Sequence, residues 1–296
     1  MRIDLHTHTS VSDGTDPPGE LVRHAARAGL AVVAVTDHDT FDGWAGAFAA
    51  ADAAGVAVVG GVEMSTTLDG IGVHLLAYLP DPTYPPLLSE LDRIRADRAG
   101  RLPVIAERLT SLGLPLTVDD ILAAAGDATT LGRPHVADAM IAKGYVPDRR
   151  EAFSTWLAAG GPAFVRKYAP PTADAIALLR AAGGVPVLAH PWGRGSREVL
   201  DEEAIGELAD AGLAGLEVDH ADHDDGTRRR LRVIAADLDL IVTGSSDHHG
   251  RGKAGHDLGT ETTAPGQYER LVAEAMATAR AAGRPAPRPT TPGRSW

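Results

Sequence analysis

Seven short runs rich in Val, Ile and Leu recur along this chain: RIDLHTH, AVVAVTDH, VAVVGGVEM, GVHLLAYL, VPVLAHP, GLEVDH and LIVTGSSDHH. Most are near-continuously apolar rather than alternating, the pattern of strands buried on both faces of a parallel sheet. Ala-rich helical stretches such as PGELVRHAARAGL and GWAGAFAAADAAG separate several of them. That βαβ rhythm restricts the chain to an α/β barrel or a doubly wound sheet.

The residues able to do chemistry are not scattered through these runs. His6, His8, Asp37, His38, Glu63, His190, Glu217, Asp247 and His249 stand near their C-terminal ends, and His74 lies within the fourth run. In α/β barrels that end of the strands forms the catalytic face, whereas histidines serving only a core would show no preference for one end. His6 and His8 are two apart, so on a strand both imidazoles face one side. The chain contains no cysteine. A metal gathered there is therefore held by His, Asp and Glu, a donor set suited to Mn²⁺, Fe²⁺ or Zn²⁺.

Of the 296 residues, 44% are hydrophobic and 23% charged, enough for one large domain or two ordinary ones. No apolar run reaches the length of about eighteen residues that marks a membrane span. The N-terminus lacks a basic segment followed by an apolar one, which points to a cytoplasmic protein. A formal net charge of −12 disfavours broad nucleic-acid binding, which relies on many Lys and Arg contacts to phosphate. It leaves room for a small phosphate substrate at one locally positive place. Residues 86–168 interrupt the strand rhythm with helices and loops and read as a helical insertion capping the barrel mouth. The barrel is thereby divided into 1–85 and 169–283, and the Pro-rich stretch 284–296 reads as a loose tail. No obligate protein partner is evident.

The motifs HTH, SDG, TDHD, GVEMS, GVHLLAY, LAHP and SSDHHG follow one another in this order. Taken together they resemble the PHP (polymerase and histidinol phosphatase) family across essentially the whole chain. LGRPHVADAMIAKGYV, EAFSTWLAAGGPAFV and AGGVPVLAHP are similar to the branch of small phosphoesterases acting on nucleotides. The resemblance implies an α/β fold, a distorted seven-stranded (β/α)7 TIM-like barrel with an inserted helical cap, holding two to three divalent ions. Carried over by motif, one ion takes His6, His8 and Asp247, with Glu63 bridging to the next; the second takes Glu63, His74 and His190; the third takes Asp13, His38 and His249. Asp13 stands where other branches carry histidine, which again points to the nucleotide branch.

Six neutral imidazoles, three carboxylates, three divalent ions and one bridging hydroxide leave a formal charge of about +2. Such a centre attracts a phosphate dianion, and metal coordination brings the pKa of bound water toward neutrality. The implied chemistry is in-line attack of a metal-bridging hydroxide on phosphorus, with Glu63 and Asp247 holding the ions. His220 and His223, after GLEVD, are candidates to protonate the leaving group or touch substrate; the alternative is a solvated loop. Asp37 and Asp39 flank His38, where either orientation of the imidazole or turn chemistry explains them. His24 reads as a surface residue. His248 points to the opposite side of its strand from the ligand next to it, and His256 lies outside any motif.

On a helical wheel over residues 91–109, Leu91, Ile94, Leu102, Ile105 and Leu109 form one apolar stripe, with Arg98 and Arg101 inside it and Pro103 distorting it. A buried arginine needs an anion, supplied by substrate phosphate or by a carboxylate elsewhere in the chain. Arg133 and His135 open a helix at GRPH, where backbone N–H groups also favour anions. With the insertion over the site, these four residues read as a phosphate clamp; Lys167 and Arg194 are further candidates. The function implied is hydrolysis of phosphate monoesters of nucleotides, such as nucleoside 3′,5′-bisphosphates. A 5′-3′ exoribonuclease acting on short RNA and a histidinol phosphate phosphatase are the enzymatic alternatives. A PHP-type metal-binding module is the non-enzymatic one.

Overall fold

A computed structural model describes residues 1–193, 195–285, 288–290 and 292. Arg194 and residues 286, 287, 291 and 293–296 lie outside the described residues. Seven strands form one sheet in sequential order: β1 (Ile3–Asp4), β2 (Val32–Val35), β3 (Ala57–Leu68), β4 (Ile71–Tyr78), β5 (Val185–Leu188), β6 (Gly215–Asp219) and β7 (Ile241–Gly244). The helices are α1 (Pro18–Arg27), α2 (Gly43–Ala54), α3 (Pro85–Gly100), α4 (Leu102–Ser111), α5 (Val118–Ala125), α6 (Arg133–Ala142), α7 (Arg149–Ala152), α8 (Thr172–Ala181), α9 (Glu202–Asp210), α10 (Asp225–Asp237) and α11 (Pro265–Ala281).

The sheet curls into a barrel whose seam lies between β7 and β1. Beyond the strands, Thr7 bridges His248, and His8 N–H donates to His248 O at 2.8 Å. A carboxylate completes the seam: Asp4 accepts from Ser246 N (3.0 Å), Ser246 Oγ (2.6 Å) and Gly259 N (2.8 Å). Because side chains alternate along a strand, Val32 and Ala34 join one apolar cluster while Val33 and Val35 pack with α1 and α2 in another. Burial on both faces is the physical reason that the runs are continuously apolar.

The βαβ rhythm fails at one point. β4 is antiparallel to both β3 and β5, whereas the other neighbours are parallel. Its connection to β3 is only Asp69-Gly70, with φ of 47° and 80°. Two central residues at positive φ are what a tight hairpin turn requires. The reversal explains why His74 sits in the first half of its strand, opposite Ser65, when His6, His8, His38, His190, Asp247 and His249 follow the ends of theirs; Glu63 and Glu217 lie within β3 and β6.

Residues 91–109 are not one helix. α3 ends at Gly100 and α4 starts at Leu102, with Pro103 at its second position, where a missing N–H is tolerated. Leu87, Leu91 and Ile94 pack with the barrel, whereas Leu102, Ile105 and Leu109 join Ile121, Val136, Met140 and Leu157 in a core belonging to the cap. The apolar stripe of the wheel thus serves two cores, and Arg101 stands at the joint. In the tail, Thr290 N–H donates to Val58 O (2.9 Å), and Val58 N–H to Thr290 Oγ1 (2.8 Å). Among the described residues no helix is long and apolar enough to cross a membrane.

Candidate metal centre

The loop after β1 turns sharply to bring Asp13 back over His8. At Gly14 a Cβ would stand 2.4 Å from His8 O, so the turn excludes a side chain there. Asp37 braces this loop from the barrel side, accepting from Thr9 N (2.8 Å), Thr9 Oγ1 (2.7 Å) and Ser12 Oγ (2.6 Å). Three non-glycine residues in or next to the centre have positive φ: Asp39 (55°), His190 (32°) and Asp247 (52°). Backbone held in that sparsely populated region clusters at functional sites, where surrounding contacts fix it.

Glu63, at 1% exposure, is the hub. Its Oε1 lies 2.7 Å from His74 Nδ1 and 3.1 Å from His190 Nε2. Its Oε2 lies 3.1 Å from His8 Nε2, 3.1 Å from His38 Nδ1 and 3.3 Å from His6 Nε2. Asp13 faces His249 (3.3 Å), His38 (3.6 Å) and His8 (3.7 Å). Asp247 Oδ1 is 3.4 Å from both His6 and His8. The nine residues of the expected ligand set are therefore brought together at one end of the barrel. Asp13 Oδ1 and His38 Nδ1 are buried without an aligned hydrogen-bond partner. Convergent nitrogens and carboxylate oxygens that satisfy one another so incompletely fit a divalent cation better than they fit a structural core. His8, Asp13, His38 and His249 form one compact group, His6, His8 and Asp247 a second, and His38, Glu63 and His74 a third.

Glu217 is buried behind this cluster and was not in the expected ligand set. It accepts from His190 N (2.7 Å), holds His6 Nδ1 (3.0 Å) and is bonded by Ser245 Oγ. A carboxylate on the far nitrogen of a histidine fixes the ring's tautomer and orientation.

Charge is unevenly distributed. Burial opposes ionisation of Asp13, but His249 and His38 outweigh it and hold the carboxyl well below its usual range. Burial opposes it at Glu63 too, and His38, His74 and His6 have the same net effect. Burial also opposes charge on His8, yet Asp247, Glu63 and Asp13 push the imidazole up to about 9; His6 is raised by Glu217, Asp247 and Glu63 against the same burial. Burial and the nearby His8 push His249 down to about 4.

These shifts predict how metal-free protein responds to pH. An imidazole raised above its unfolded value of about 6.5 contributes stability that is complete below that pH and disappears as the pH rises through 9. One held near 4 withdraws stability as the pH falls from 6.5 toward 4. Melting temperature in EDTA should thus peak near neutrality and fall on both sides. Saturating Mn²⁺, which binds the deprotonated rings, should flatten the alkaline limb. An EDTA profile flat from pH 6.5 to 9 would show that His6 and His8 carry no such protons.

The other candidates divide. His220 is fully buried, with Nδ1 accepting from Asp222 N (3.0 Å) and Nε2 3.3 Å from Asp247 Oδ2, so neither nitrogen is left for a leaving group. His223 bonds Val218 O through Nδ1 (2.8 Å), and its Nε2 has no hydrogen-bond partner among the described residues. Lys253, which the motifs did not single out despite its place in DHHGRGK, contacts Asp247 Oδ2 at 2.5 Å. His135 is committed on both sides: Nδ1 accepts from Gly132 N (3.1 Å) and Nε2 donates to Ser12 O (2.9 Å). It braces the Asp13 loop and has no nitrogen left for substrate. His24 pairs with Asp16 at 2.7 Å, while His248 and His256 bond backbone carbonyls.

The arginines form a cationic wall. Arg98 Nε lies 2.8 Å from Asp39 and its Nη2 donates to Ser65 Oγ (2.7 Å), which Lys167 also bonds. Ser65 is two residues beyond Glu63 on β3 and shares its face. Arg101 bonds Val165 O (2.8 Å) and has only a distant carboxylate, Asp97, at 3.7 Å. Arg133 donates to Leu157 O (2.7 Å) and has no carboxylate partner among the described residues. Burial, then Arg98 and Arg133, bring Arg101 down to about 10; burial and Arg98 do the same to Arg133. Burial and Arg98 likewise depress Lys167, with Asp39 opposing. Four cations crowd together, and among the described residues the carboxylates paired with them are Asp39 at 2.8 Å and Asp97 at 3.7 Å.

Comparison with known proteins gives a consistent picture. A family model described as the PHP domain matches residues 4–108. The 3′,5′-nucleoside bisphosphate phosphatase of Chromobacterium violaceum is 32% identical over 264 residues, covering 89% of this chain and 93% of that protein. A 5′-3′ exoribonuclease of Haemophilus influenzae is also 32% identical, over 84% of this chain and 90% of its own length. A solved structure of a proposed metal-dependent phosphoesterase from Bifidobacterium adolescentis superposes with a TM-score of 0.88 at 37% identity, over 92% of this chain and 96% of that one.

Proposed function

The chain belongs to the PHP family of metal-dependent phosphoesterases, and we propose that it hydrolyses a terminal phosphate monoester from a nucleotide bearing a second phosphate, a nucleoside 3′,5′-bisphosphate being the favoured substrate. One observation supports this reading: a four-cation wall stands beside the histidine–carboxylate cluster, joined to it where Arg98 and Lys167 bond Ser65, two residues beyond Glu63 on β3. Divalent ions of a Mn²⁺, Fe²⁺ or Zn²⁺ kind, held by the histidine–carboxylate cluster, would supply Lewis acidity, lowering the pKa of coordinated water and neutralising charge on phosphoryl oxygens.

His6, His8, Glu63 and Asp247 are proposed to hold one ion, Glu63, His74 and His190 a second, and Asp13, His38 and His249 a third. Glu63 suits a bridging role because its two oxygens face different histidines. Glu217 orients His6 and His190, and His220 with Lys253 holds Asp247 Oδ2 so that Oδ1 points inward. Arg98, Arg101, Arg133 and Lys167 bind and orient the phosphate that is not cleaved. His223, with an unpartnered Nε2, is the remaining candidate for a contact to the leaving group.

The test is a substrate panel with Mn²⁺-loaded protein. Nucleoside 3′,5′-bisphosphates, nucleoside monophosphates, short 5′-phosphorylated RNAs and histidinol phosphate are compared by kcat/KM. The highest value should belong to a bisphosphate. A preference for RNA of several nucleotides would transfer the site to the exoribonuclease reading, and equal values for mono- and bisphosphates would remove the second anion position.

A further inference from the structure

Three consecutive carbonyl oxygens of the loop that carries Asp13 are bonded by the cap. Val11 O accepts from the N–H groups of Thr129 (2.9 Å) and Thr130 (3.2 Å), Ser12 O from His135 Nε2 (2.9 Å), and Asp13 O from Arg149 Nη1 (3.0 Å). Because His135 Nδ1 accepts from Gly132 N, its proton sits on Nε2, as the bond to Ser12 O requires. The rest of the Arg149 guanidinium forks onto Asp138 at 2.7 and 2.6 Å. Asp138 stands three residues after His135 on α6, a spacing that puts both on neighbouring positions of one helix face. Arg149 opens α7, which Asp148 caps by accepting from Glu151 N (2.8 Å).

On its other side Arg149 meets the loop that carries His249. A Cβ on Gly252 would lie 2.4 Å from Arg149 Nη1, so the absence of a side chain there makes room for the guanidinium. Gly252 N in turn donates to His249 O at 3.2 Å. One side chain therefore touches the cap, the Asp13 loop and the His249 loop, while Asp37 holds the Asp13 loop from below.

We propose that Arg149 is a positioning residue for Asp13, fixing its carboxylate against His38 and His249 so that the cap sets the affinity of that one metal position. The proposal rests on the reading of Asp13, His38 and His249 as metal ligands. In metal sites, partners behind the ligands shift affinity by about ten- to a hundred-fold.

The test is a titration of metal-free protein with Mn²⁺, following free Mn²⁺ by its electron paramagnetic resonance signal. Wild type is compared with Arg149→Met, Arg149→Lys, Gly252→Ala and Asp13→Ala. Arg150→Met serves as control, since Arg150 is exposed and contacts only Asp148 among the described carboxylates. Asp13→Ala should lose one ion. Arg149→Met should leave the affinity of the other ions unchanged and weaken that one about tenfold. Lysine reaches either Asp13 O or Asp138 but cannot fork, so Arg149→Lys should fall between. Gly252→Ala should shift affinity the same way by displacing the guanidinium. The Mn²⁺ concentration for half-maximal activity should rise in Arg149→Met, with kcat restored at saturating Mn²⁺, which a merely loosened cap would not permit. Wild-type affinity for every ion in Arg149→Met overturns the proposal. An Asp13→Ala protein that loses no ion overturns the metal reading beneath it.

Discussion

Glu63→Gln should lower kcat on p-nitrophenyl phosphate by about 10²-fold or more, the loss typical when a key electrostatic group is removed from an active site. Five imidazole nitrogens lie within 3.3 Å of its two oxygens. Glutamine preserves the shape but removes one negative charge and turns an acceptor into a donor aimed at those rings. In the proposed bridging role Glu63 serves two ions, and both would lose the carboxylate together. Elemental analysis should therefore fall from two to three ions per chain in the wild type to one or none in the variant. Glu63 lies within the ladder between β3 and β4, whose backbone pairing the substitution leaves alone, so circular dichroism should stay native. Near-normal turnover with full metal content would remove Glu63 from the centre of the site.

Glu63 is legible in the sequence because of how barrels expose chemistry. A strand buried on both faces tolerates a carboxylate only where partners satisfy its charge, so GVEM, TDH and SSDHH stand out against Val and Ile. What the sequence hides is whatever depends on chain reversal or on distant partners. The antiparallel β4 is encoded in Asp69-Gly70, yet an apolar run reads alike in either direction, so the sequence alone does not explain why His74 lies within its run. The wheel over 91–109 assumed one helix, whereas the break at Arg101 sends its two halves into different cores.

Histidines illustrate the same limit. Residue type and position marked His135 and His220 as candidates, but which ring nitrogen is already engaged depends on Ser12, Gly132, Asp222 and Asp247, none of them predictable by spacing. Arg149 carried no local signal at all. Its carbonyl partner on Asp13 is 136 residues away, and the glycine that makes room for it belongs to a third segment. Glu217 was visible as a carboxylate at a strand end; its work behind His6 and His190 was not.

The second large effect separates recognition from chemistry. Arg133→Ala should depress kcat/KM for a nucleoside 3′,5′-bisphosphate by about ten- to a hundred-fold, the worth of one charge-assisted contact of roughly 1.5–3 kcal/mol. Turnover of p-nitrophenyl phosphate, which has no second phosphate, should change little. Arg133 suits the test better than Arg98, which Asp39 already neutralises at 2.8 Å. In the free protein its side chain donates to Leu157 O and lies 5.5 and 5.2 Å from the rings of Phe153 and Phe164, with Arg98 repelling it. Its removal thus relieves repulsion among like charges while sacrificing one backbone bond and two weak ring contacts, so folding should survive. Arg101→Ala should act in the same direction, because its nearest carboxylate is 3.7 Å away. The two substrates control each other: general damage to the cap or to the metal content lowers both, whereas loss of an anion contact lowers only the bisphosphate. Equal losses on both, with metal content intact, would place Arg133 on the phosphate being cleaved. Unchanged kinetics on both would make it a structural cation whose charge the phenyl rings and Leu157 O are sufficient to hold.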